Sequence, residues 1–68
     1  MHVTLNGESH TFDNPISLSE LVVYLGLKPE RLAIELNGSI CPRALWATTC
    51  LQDADRVEIV HFVGGGEF

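Results

Sequence analysis

Alternating polar and apolar positions at the start of the chain predict a β-hairpin. The residues from His2 to Leu5 alternate between the two classes, and the alternation resumes from Glu8 to Phe12. Asn6-Gly7 separates the two runs, and this dipeptide is preferred in type I′ turns because both central residues have a positive φ there. This part of the chain therefore predicts two antiparallel strands.

Between Ser17 and Gly26 the apolar positions change to the spacing of a helix. Ser17 and Glu20 match the S-x-x-E capping box, in which each side chain accepts a hydrogen bond from a backbone N–H that the first turn leaves unpaired. Gly26 can adopt the left-handed conformation that ends a helix. We therefore predict a short amphipathic helix with one apolar face, formed by Leu18, Leu21, Val22 and Leu25.

A second hairpin is predicted after the helix. The segment from Leu32 to Leu36 places apolar residues on one side of a strand, and Asn37-Gly38 predicts a tight turn into Ser39-Ile40. Pro42 offers no N–H for strand pairing, so regular pairing should end there. The connection from Arg43 to Ala47 is predicted to be irregular, with a turn of helix.

The remaining residues predict two more extended segments. Thr48 to Leu51 is expected to form a short edge strand, and Asp53 to Asp55 is expected to form a turn. The last predicted strand runs from Arg56 to Phe62, with Val57 and Ile59 on one face.

The order of these elements predicts an α+β fold of the ubiquitin-like β-grasp type. A mixed sheet of four or five strands would be covered on one face by the single short helix, since nothing else can bury the helix's apolar stripe. A ferredoxin-like fold is the main rival, but it needs a second full helix, which the stretch 42–51 does not predict. We expect residues 1–63 to form this domain and residues 64–68 to form a flexible C-terminal tail.

Composition limits the classes of binding partner and the cellular compartment that fit this chain. The 68 residues suffice for one domain, and the formal net charge of −5 argues against nucleic acid, which requires clustered basic residues. No secretory leader or apolar run of about 20 residues is visible, so no membrane partner is expected. Two cysteines without a disulfide spacing fit a reducing compartment. We expect a cytoplasmic protein that is a monomer when free.

The side chains predict no catalytic or metal site. His2, His10 and His61 each fall in a predicted strand and lack the spacing of metal ligands. Cys41 and Cys50 have no local base or cationic neighbour that would activate a thiol, so both are expected to be small buried hydrophobic residues. Trp46 is expected to pack a satellite core under a loop.

The C-terminal segment Gly64-Gly65-Gly66 is the unusual feature of the chain. Glycine has no Cβ, so such a run could enter a channel that is too narrow for other residues. The four residues from Val63 to Gly66 span at most about 14 Å when extended. The run could therefore be a disordered end, or a thread that presents a carboxylate to a partner's active site.

Several segments in the second half of the chain form a recognisable pattern: Ala33 to Gly38, Ile40 to Arg43, Trp46, Leu51 to Val60, and Val63 to Gly66. This pattern resembles the ThiS-type sulfur carriers of bacterial thiamine biosynthesis, which are related to the MoaD carriers. Each segment alone is a weak signal, and the specificity comes from their combined spacing. The resemblance extends over nearly the whole chain, and the hairpin and helix also occur where that family has them.

This resemblance implies that the chain is a protein co-substrate and not an enzyme. An adenylating enzyme of the ThiF type would activate the Gly66 carboxylate with ATP, and a cysteine desulfurase or another donor would supply the sulfur of a thiocarboxylate. Thiazole synthase (ThiG) would then use that sulfur to form the thiazole of thiamine. Gly64, Gly65 and Gly66 would be inserted into the partner, and no cofactor would be bound by the chain itself.

Several alternatives and departures remain open at this point. The chain could instead serve molybdopterin or cysteine synthesis, act as a ubiquitin-like modifier joined to lysines, or be an interaction module without tail chemistry. The family often has a branched apolar residue at Cys41 and a glycine at Ala54. Its members commonly end at the glycines, so Glu67-Phe68 would be either a cap removed by a peptidase or a remnant of cloning.

The resemblance to a β-grasp also predicts where partners dock. The sheet face away from the helix should be free, and the last strand leads into the glycines. We expect exposed apolar residues there, with Phe62 the best candidate for partner contact and Val60 or His61 next. The alternative is that Phe62 closes the core.

Overall fold

The structure is a computed structural model, and it describes residues 1–62 of the chain. The predicted tail, residues 64–68, and the domain boundary at residue 63 lie outside the described residues. The elements are β1 (His2–Leu5), β2 (Glu8–Thr11), α1 (Leu18–Tyr24), β3 (Leu32–Leu36), β4 (Ser39–Ile40) and β5 (Arg56–His61), with short 3₁₀ turns at Pro29–Arg31 and Arg43–Leu45.

The strands form one mixed sheet in the order β2-β1-β5-β3-β4. Strand β1 pairs antiparallel with β2 and parallel with β5, and β3 pairs antiparallel with both β5 and β4. The parallel central pair with one helix packed on the sheet confirms the predicted β-grasp fold.

Both Asn-Gly pairs form the predicted turns. Asn6 and Gly7 have φ values of 48° and 83°, and Asn37 and Gly38 have φ values of 52° and 89°. Positive φ at two successive residues is the geometry that makes a type I′ turn match the twist of the flanking strands. The two hairpins are therefore encoded locally.

Helix α1 begins and ends as predicted. The Glu20 N–H donates to Ser17 Oγ at 3.1 Å, and the Ser17 N–H donates to Glu20 Oε1 at 2.8 Å, which completes the capping box. At the other end, the Leu27 N–H donates to the Val22 carbonyl at 3.1 Å, and Gly26 has a φ of 72°. This is the Schellman arrangement, which satisfies carbonyls that the last turn would leave unpaired.

The core lies between α1 and the helix-facing side of the sheet. The helix contributes its predicted apolar face, and each long strand contributes alternate residues, as a sheet with one buried face requires. The buried apolar side chains are Val3, Leu5, Leu18, Leu21, Val22, Leu32, Ile34, Trp46, Leu51, Val57 and Ile59.

The prediction of an edge strand from Thr48 to Leu51 is wrong. This segment is extended, but within the described residues its strand-type pairing is a single bridge between Cys50 and Ser17. The Leu18 N–H donates to the Thr49 carbonyl, and the Leu51 N–H donates to the Ile16 carbonyl. The segment therefore pairs with the residues that lead into α1 and not with the sheet, because those residues also have backbone groups to satisfy.

Two predictions of side-chain environment also need correction. Cys50 is exposed, not buried, because its short segment does not join the sheet; Cys41 is half-buried and packs against the core. Trp46 belongs to the main core and not to a satellite cluster: its side chain is buried and its ring N–H donates to the Cys41 carbonyl at 3.0 Å.

The turn that leads into β5 is held by carboxylates. Asp55 accepts a hydrogen bond from the Gln52 N–H at 2.8 Å, and Asp53 accepts one from the His2 N–H at 2.7 Å. The bond from His2 lowers the pKa of the Asp53 carboxyl below its ordinary value. The predicted turn is thus confirmed, and it ties the start of β5 to the start of β1.

Candidate functional site

The start of β5 is held on both sides. Strand β1 pairs with it at Arg56 and Val57, and β3 pairs with it along its length. The side chain of Asn37 adds a further bond, because its Oδ1 accepts from the Arg56 N–H at 2.8 Å. The position and direction of β5 are therefore set at its first residues, Arg56 and Val57, which we call its root.

The side chain of Asn6 makes two further hydrogen bonds to the backbone of β5, both at Ile59. Its Oδ1 accepts a hydrogen bond from the Ile59 N–H at 2.8 Å, and its Nδ2 donates to the Ile59 carbonyl at 3.3 Å. The side chain thus replaces the backbone of β1, which has already turned away at Asn6-Gly7. Sequence reasoning gave Asn6 only a role in the turn. An asparagine at a turn next to a longer strand is the signal that could have suggested this second role.

The end of β5 is paired on one side only. Beyond Val57, no strand among residues 1–62 pairs with β5 on the side that faces β1. On the other side, β3 continues to the pair Leu32–His61, and the Phe62 N–H donates to the Arg31 carbonyl at 2.8 Å. Among the described residues, the end of β5 is therefore paired with β3 on one side and has a free edge on the other. The glycine segment of the sequence follows immediately.

Two apolar side chains are exposed at this end. Val60 and Phe62 each expose 50% of their surface, and they alternate with the buried Val57 and Ile59, so they lie on the sheet face away from α1. The alternative that Phe62 closes the core is therefore wrong. His61 is exposed as well, but it lies on the helix-facing side. The three predicted contact residues do not share one face, and their role in binding a partner stays a prediction.

Basic side chains surround the exit of β5. Lys28 and Arg31 line a shallow groove together with His61 and Phe62. Arg43 lies on the same side of the fold, where its guanidinium donates to the Pro29 and Leu32 carbonyls and lies 5.0 Å from the centre of the Trp46 ring. Three of the four basic residues of an acidic protein are thus concentrated near this exit.

The described part of the chain contains no cluster of three or more His, Cys, Asp or Glu side chains that could hold a metal ion. Cys41 Sγ lies 3.8 Å from Thr49 Oγ1 and from the Pro42 carbonyl oxygen, and among residues 1–62 no charged group is within hydrogen-bond distance of it. No helix within residues 1–62 is long and apolar enough to cross a membrane. The predicted site residues Gly64, Gly65 and Gly66 lie outside the described residues.

These features define a class of protein: a ubiquitin-like β-grasp domain whose last strand leads directly into a glycine-rich segment. A family profile narrows the class further. The profile of the ThiS family matches residues 3–66, and the chain belongs to this family.

Solved structures agree with this assignment, and a curated relative aligns with most of the chain. A crystal structure of the thiamine biosynthesis protein ThiS from Geobacter metallireducens superposes with a TM-score of 0.83 at 35% identity, covering 97% of this chain and all of that one. The chain is also 42% identical over 64 residues to the uncharacterised protein ycf40 of Porphyra purpurea, with 94% of this chain and 90% of that protein covered.

A third relative is much longer than this chain. The thiazole synthase of Magnetococcus marinus is 39% identical over 67 residues, which are 98% of this chain but 21% of that protein. The chain therefore spans about a fifth of the length of this relative.

Proposed function

We propose that this protein is a sulfur carrier whose Gly66 carboxylate is adenylated and then converted to a thiocarboxylate. The observation that carries the proposal is the family match, which runs through the whole domain and stops at Gly66. Glu67 and Phe68 lie beyond the match. The reacting group is then a backbone carboxylate, and the chain needs no catalytic side chain of its own.

The proposed reaction has two steps. A carboxylate oxygen of Gly66 attacks the α-phosphorus of ATP, pyrophosphate leaves, and an acyl-adenylate forms. Hydrosulfide then attacks the acyl carbon and AMP leaves with the bonding electrons, giving the thiocarboxylate and a proton. The partner adenylating enzyme binds ATP and stabilises the charge that develops at phosphorus. The carrier contributes the carboxyl group that reacts.

The geometry of β5 suits this role. Its root is fixed by two strands and two asparagine side chains, whereas its end is paired with β3 alone among residues 1–62. Four extended residues beyond Phe62 reach about 14 Å, enough to place Gly66 inside a partner while the domain stays outside. Glycines in this stretch present no side chain that a narrow channel would exclude.

Thiazole formation is the sulfur-requiring pathway that we propose. A relative of this chain is a thiazole synthase, and a structural neighbour is a thiamine biosynthesis protein. Both support delivery of the sulfur to a thiazole synthase of the ThiG type after activation by an enzyme of the ThiF type.

Intact-mass spectrometry tests the proposal. The chain ending at Gly66 is incubated with a ThiF-type enzyme, ATP and sodium sulfide, and a chain ending at Gly65 is the matched control. We expect the first protein to gain the mass difference between sulfur and oxygen, only when ATP is present. A mass that never changes with an enzyme shown to be active on another ThiS protein would refute the proposal.

A further inference from the structure

A shallow groove at the end of β5 combines apolar surface with positive charge. Leu27 and Phe62 supply apolar side chains, whereas Lys28 and Arg31 supply two cations. The full lining is Gly26, Leu27, Lys28, Arg31, His61 and Phe62. No acidic residue among positions 1–62 lines the groove, and its volume of about 350 Å³ is within the range of ligand-binding clefts. The groove therefore fits an anionic segment that also carries an apolar side chain.

The fold leaves both cations of the groove available. Lys28 and Arg31 are exposed, and within residues 1–62 their side chains form no salt bridge and no hydrogen bond. Arg43, the third basic residue at this end, differs from them because its guanidinium donates to two backbone carbonyls and lies over the Trp46 ring. Arg43 therefore stabilises the fold, whereas Lys28 and Arg31 can pair with groups of another molecule.

The charge of the groove is opposite to that of the whole protein. The chain has nine acidic and four basic residues, which give a formal net charge of −5. Glu30 lies between the two cations in the sequence, but its side chain is exposed and does not line the groove. An acidic surface is repelled by most of such a protein and attracted at its basic patch, so charge selects the orientation of approach.

The groove lies within reach of the proposed reacting terminus. Gly66 follows Phe62 by four residues, and four residues span at most about 14 Å. An enzyme that binds the Gly66 carboxylate must therefore have part of its surface within this distance of Phe62, which lines the groove. The limit holds whatever path the intervening residues take.

We propose that the groove docks an acidic segment of the adenylating enzyme near the entrance to its active site. Carboxylates of that segment pair with Lys28 and Arg31, and one apolar side chain packs against Leu27 and Phe62. The identity of the partner rests on the proposed function, whereas the chemistry of the segment follows from the residues of the groove. Exposed charges at the rim of an interface mainly raise the association rate, and their effect weakens as salt screens them.

Steady-state ATP–pyrophosphate exchange with a ThiF-type enzyme tests this docking through the KM for the carrier chain ending at Gly66. At low salt, Lys28→Gln and Arg31→Gln should each raise KM about two- to fivefold, the range expected for one exposed ion pair, and leave kcat unchanged. Arg56→Gln is the matched control, because Arg56 lies in a separate groove at the other end of β5. This control removes the same charge and should leave KM unchanged.

Two further measurements separate charge from structure. Glu30→Gln removes a negative charge beside the two cations and should therefore lower KM. The KM of the unaltered chain should rise with sodium chloride more steeply than the KM of the double variant Lys28→Gln and Arg31→Gln, which has lost two of the charges that salt screens. All of these side chains are exposed, so the melting temperatures of the variants should stay close to that of the unaltered chain.

An acidic peptide tests the groove without any enzyme. The probe is an acetylated and amidated pentapeptide with one phenylalanine between two pairs of glutamates, titrated into the ¹⁵N-labelled 68-residue protein at low salt. We expect saturable NMR shifts of the Lys28, Arg31 and His61 amides, which the double variant should lose. The matched control peptide has lysines in place of the glutamates and should cause no saturable shift at these amides.

The two assays distinguish failure of the docking from failure of the proposed function. Equal KM values for Lys28→Gln, Arg31→Gln and Arg56→Gln would overturn the docking and leave the function intact, because exchange itself would still occur. Absence of exchange with the unaltered chain would refute the proposed function, and the peptide would then decide for the groove alone. Shifts that persist in the double variant, or no saturable shift at all, would overturn the groove as a site for an acidic segment.

Discussion

The two ends of β5 differ in almost every physical respect. At its root, Val57 is buried, both flanking strands pair with the backbone, and Asn37 and Asn6 bind the groups that the strands do not reach. At its end, Val60 and Phe62 are half-exposed on the face away from the helix and one edge has no neighbouring strand among residues 1–62.

The contrast teaches that one strand can be buried where it enters the sheet and exposed where it ends. Burial of Val57 and pairing on both sides fix the direction of β5 at its start. The exposed apolar side chains at its end are the surface that the proposed function would use for contact with a partner.

Val57 and Val60 are a matched pair on the same strand. Val57→Ala removes buried methyl groups and should lower the free energy of unfolding by about 2 kcal/mol. Val60→Ala should change it by less than about 0.5 kcal/mol, because exposed substitutions away from special features have small effects. Urea denaturation of both variants measures the difference. Similar losses at the two positions would contradict the division of β5 into a buried root and a free end.

Asn6→Gly tests the side-chain clamp on Ile59. Glycine keeps the positive φ of the turn, so the variant loses the two hydrogen bonds without added backbone strain. We expect a loss of about 1–2 kcal/mol in the free energy of unfolding and faster exchange of the Ile59 amide. An unchanged Ile59 exchange rate would show that the clamp does not hold the strand.

Ala54→Gly should stabilise the protein. Ala54 has a φ of 72°, a left-handed conformation that costs an L-residue with a Cβ about 1–2 kcal/mol. Part of this gain is lost to the greater freedom of glycine in the unfolded chain, leaving about 0.5–1 kcal/mol. Ala47→Gly, at an exposed position without a positive φ, should not stabilise. A lower melting temperature for Ala54→Gly would refute this account of the turn before β5.

The smallest effect is expected from Asp53. The hydrogen bond from the His2 N–H lowers its pKa in the folded state, so its contribution to stability is present above the unfolded pKa and is lost as the pH falls through the folded value. Asp53→Asn should therefore weaken the dependence of melting temperature on pH in the acid range. Gln52→Ala, a neighbour without a carboxyl group, should leave that dependence unchanged.

Local sequence signals predicted most of the fold. The Asn-Gly turns, the capping box and the glycine after α1 act through neighbouring residues, so each can be recognised from a few positions. Alternation also predicted that Val57 and Ile59 share one face, and the structure shows that this face is buried. The β-grasp order predicted exposed apolar residues on the free face, as found for Val60 and Phe62.

The wrong predictions concern segments whose pairing and burial depend on residues distant in the sequence. Thr48 to Leu51 is extended, but its partner is the segment before α1, which no local pattern reveals. For the same reason Cys50 was expected to be buried, and Trp46 was assigned to a satellite cluster when it closes the main core. The bonds from Asn6 to Ile59 join residues far apart in sequence, so a turn signal alone could not predict them.

The central claim, that Gly66 is the reacting terminus, is tested most directly by ATP–pyrophosphate exchange with a ThiF-type adenylating enzyme. Three forms are compared: the 68-residue chain, the chain ending at Gly66, and the chain ending at Gly65. We predict exchange only with the form ending at Gly66, because Phe68 is too bulky for a glycine-sized channel and the Gly65 form is one residue short. Equal exchange rates for all three forms would contradict the claim.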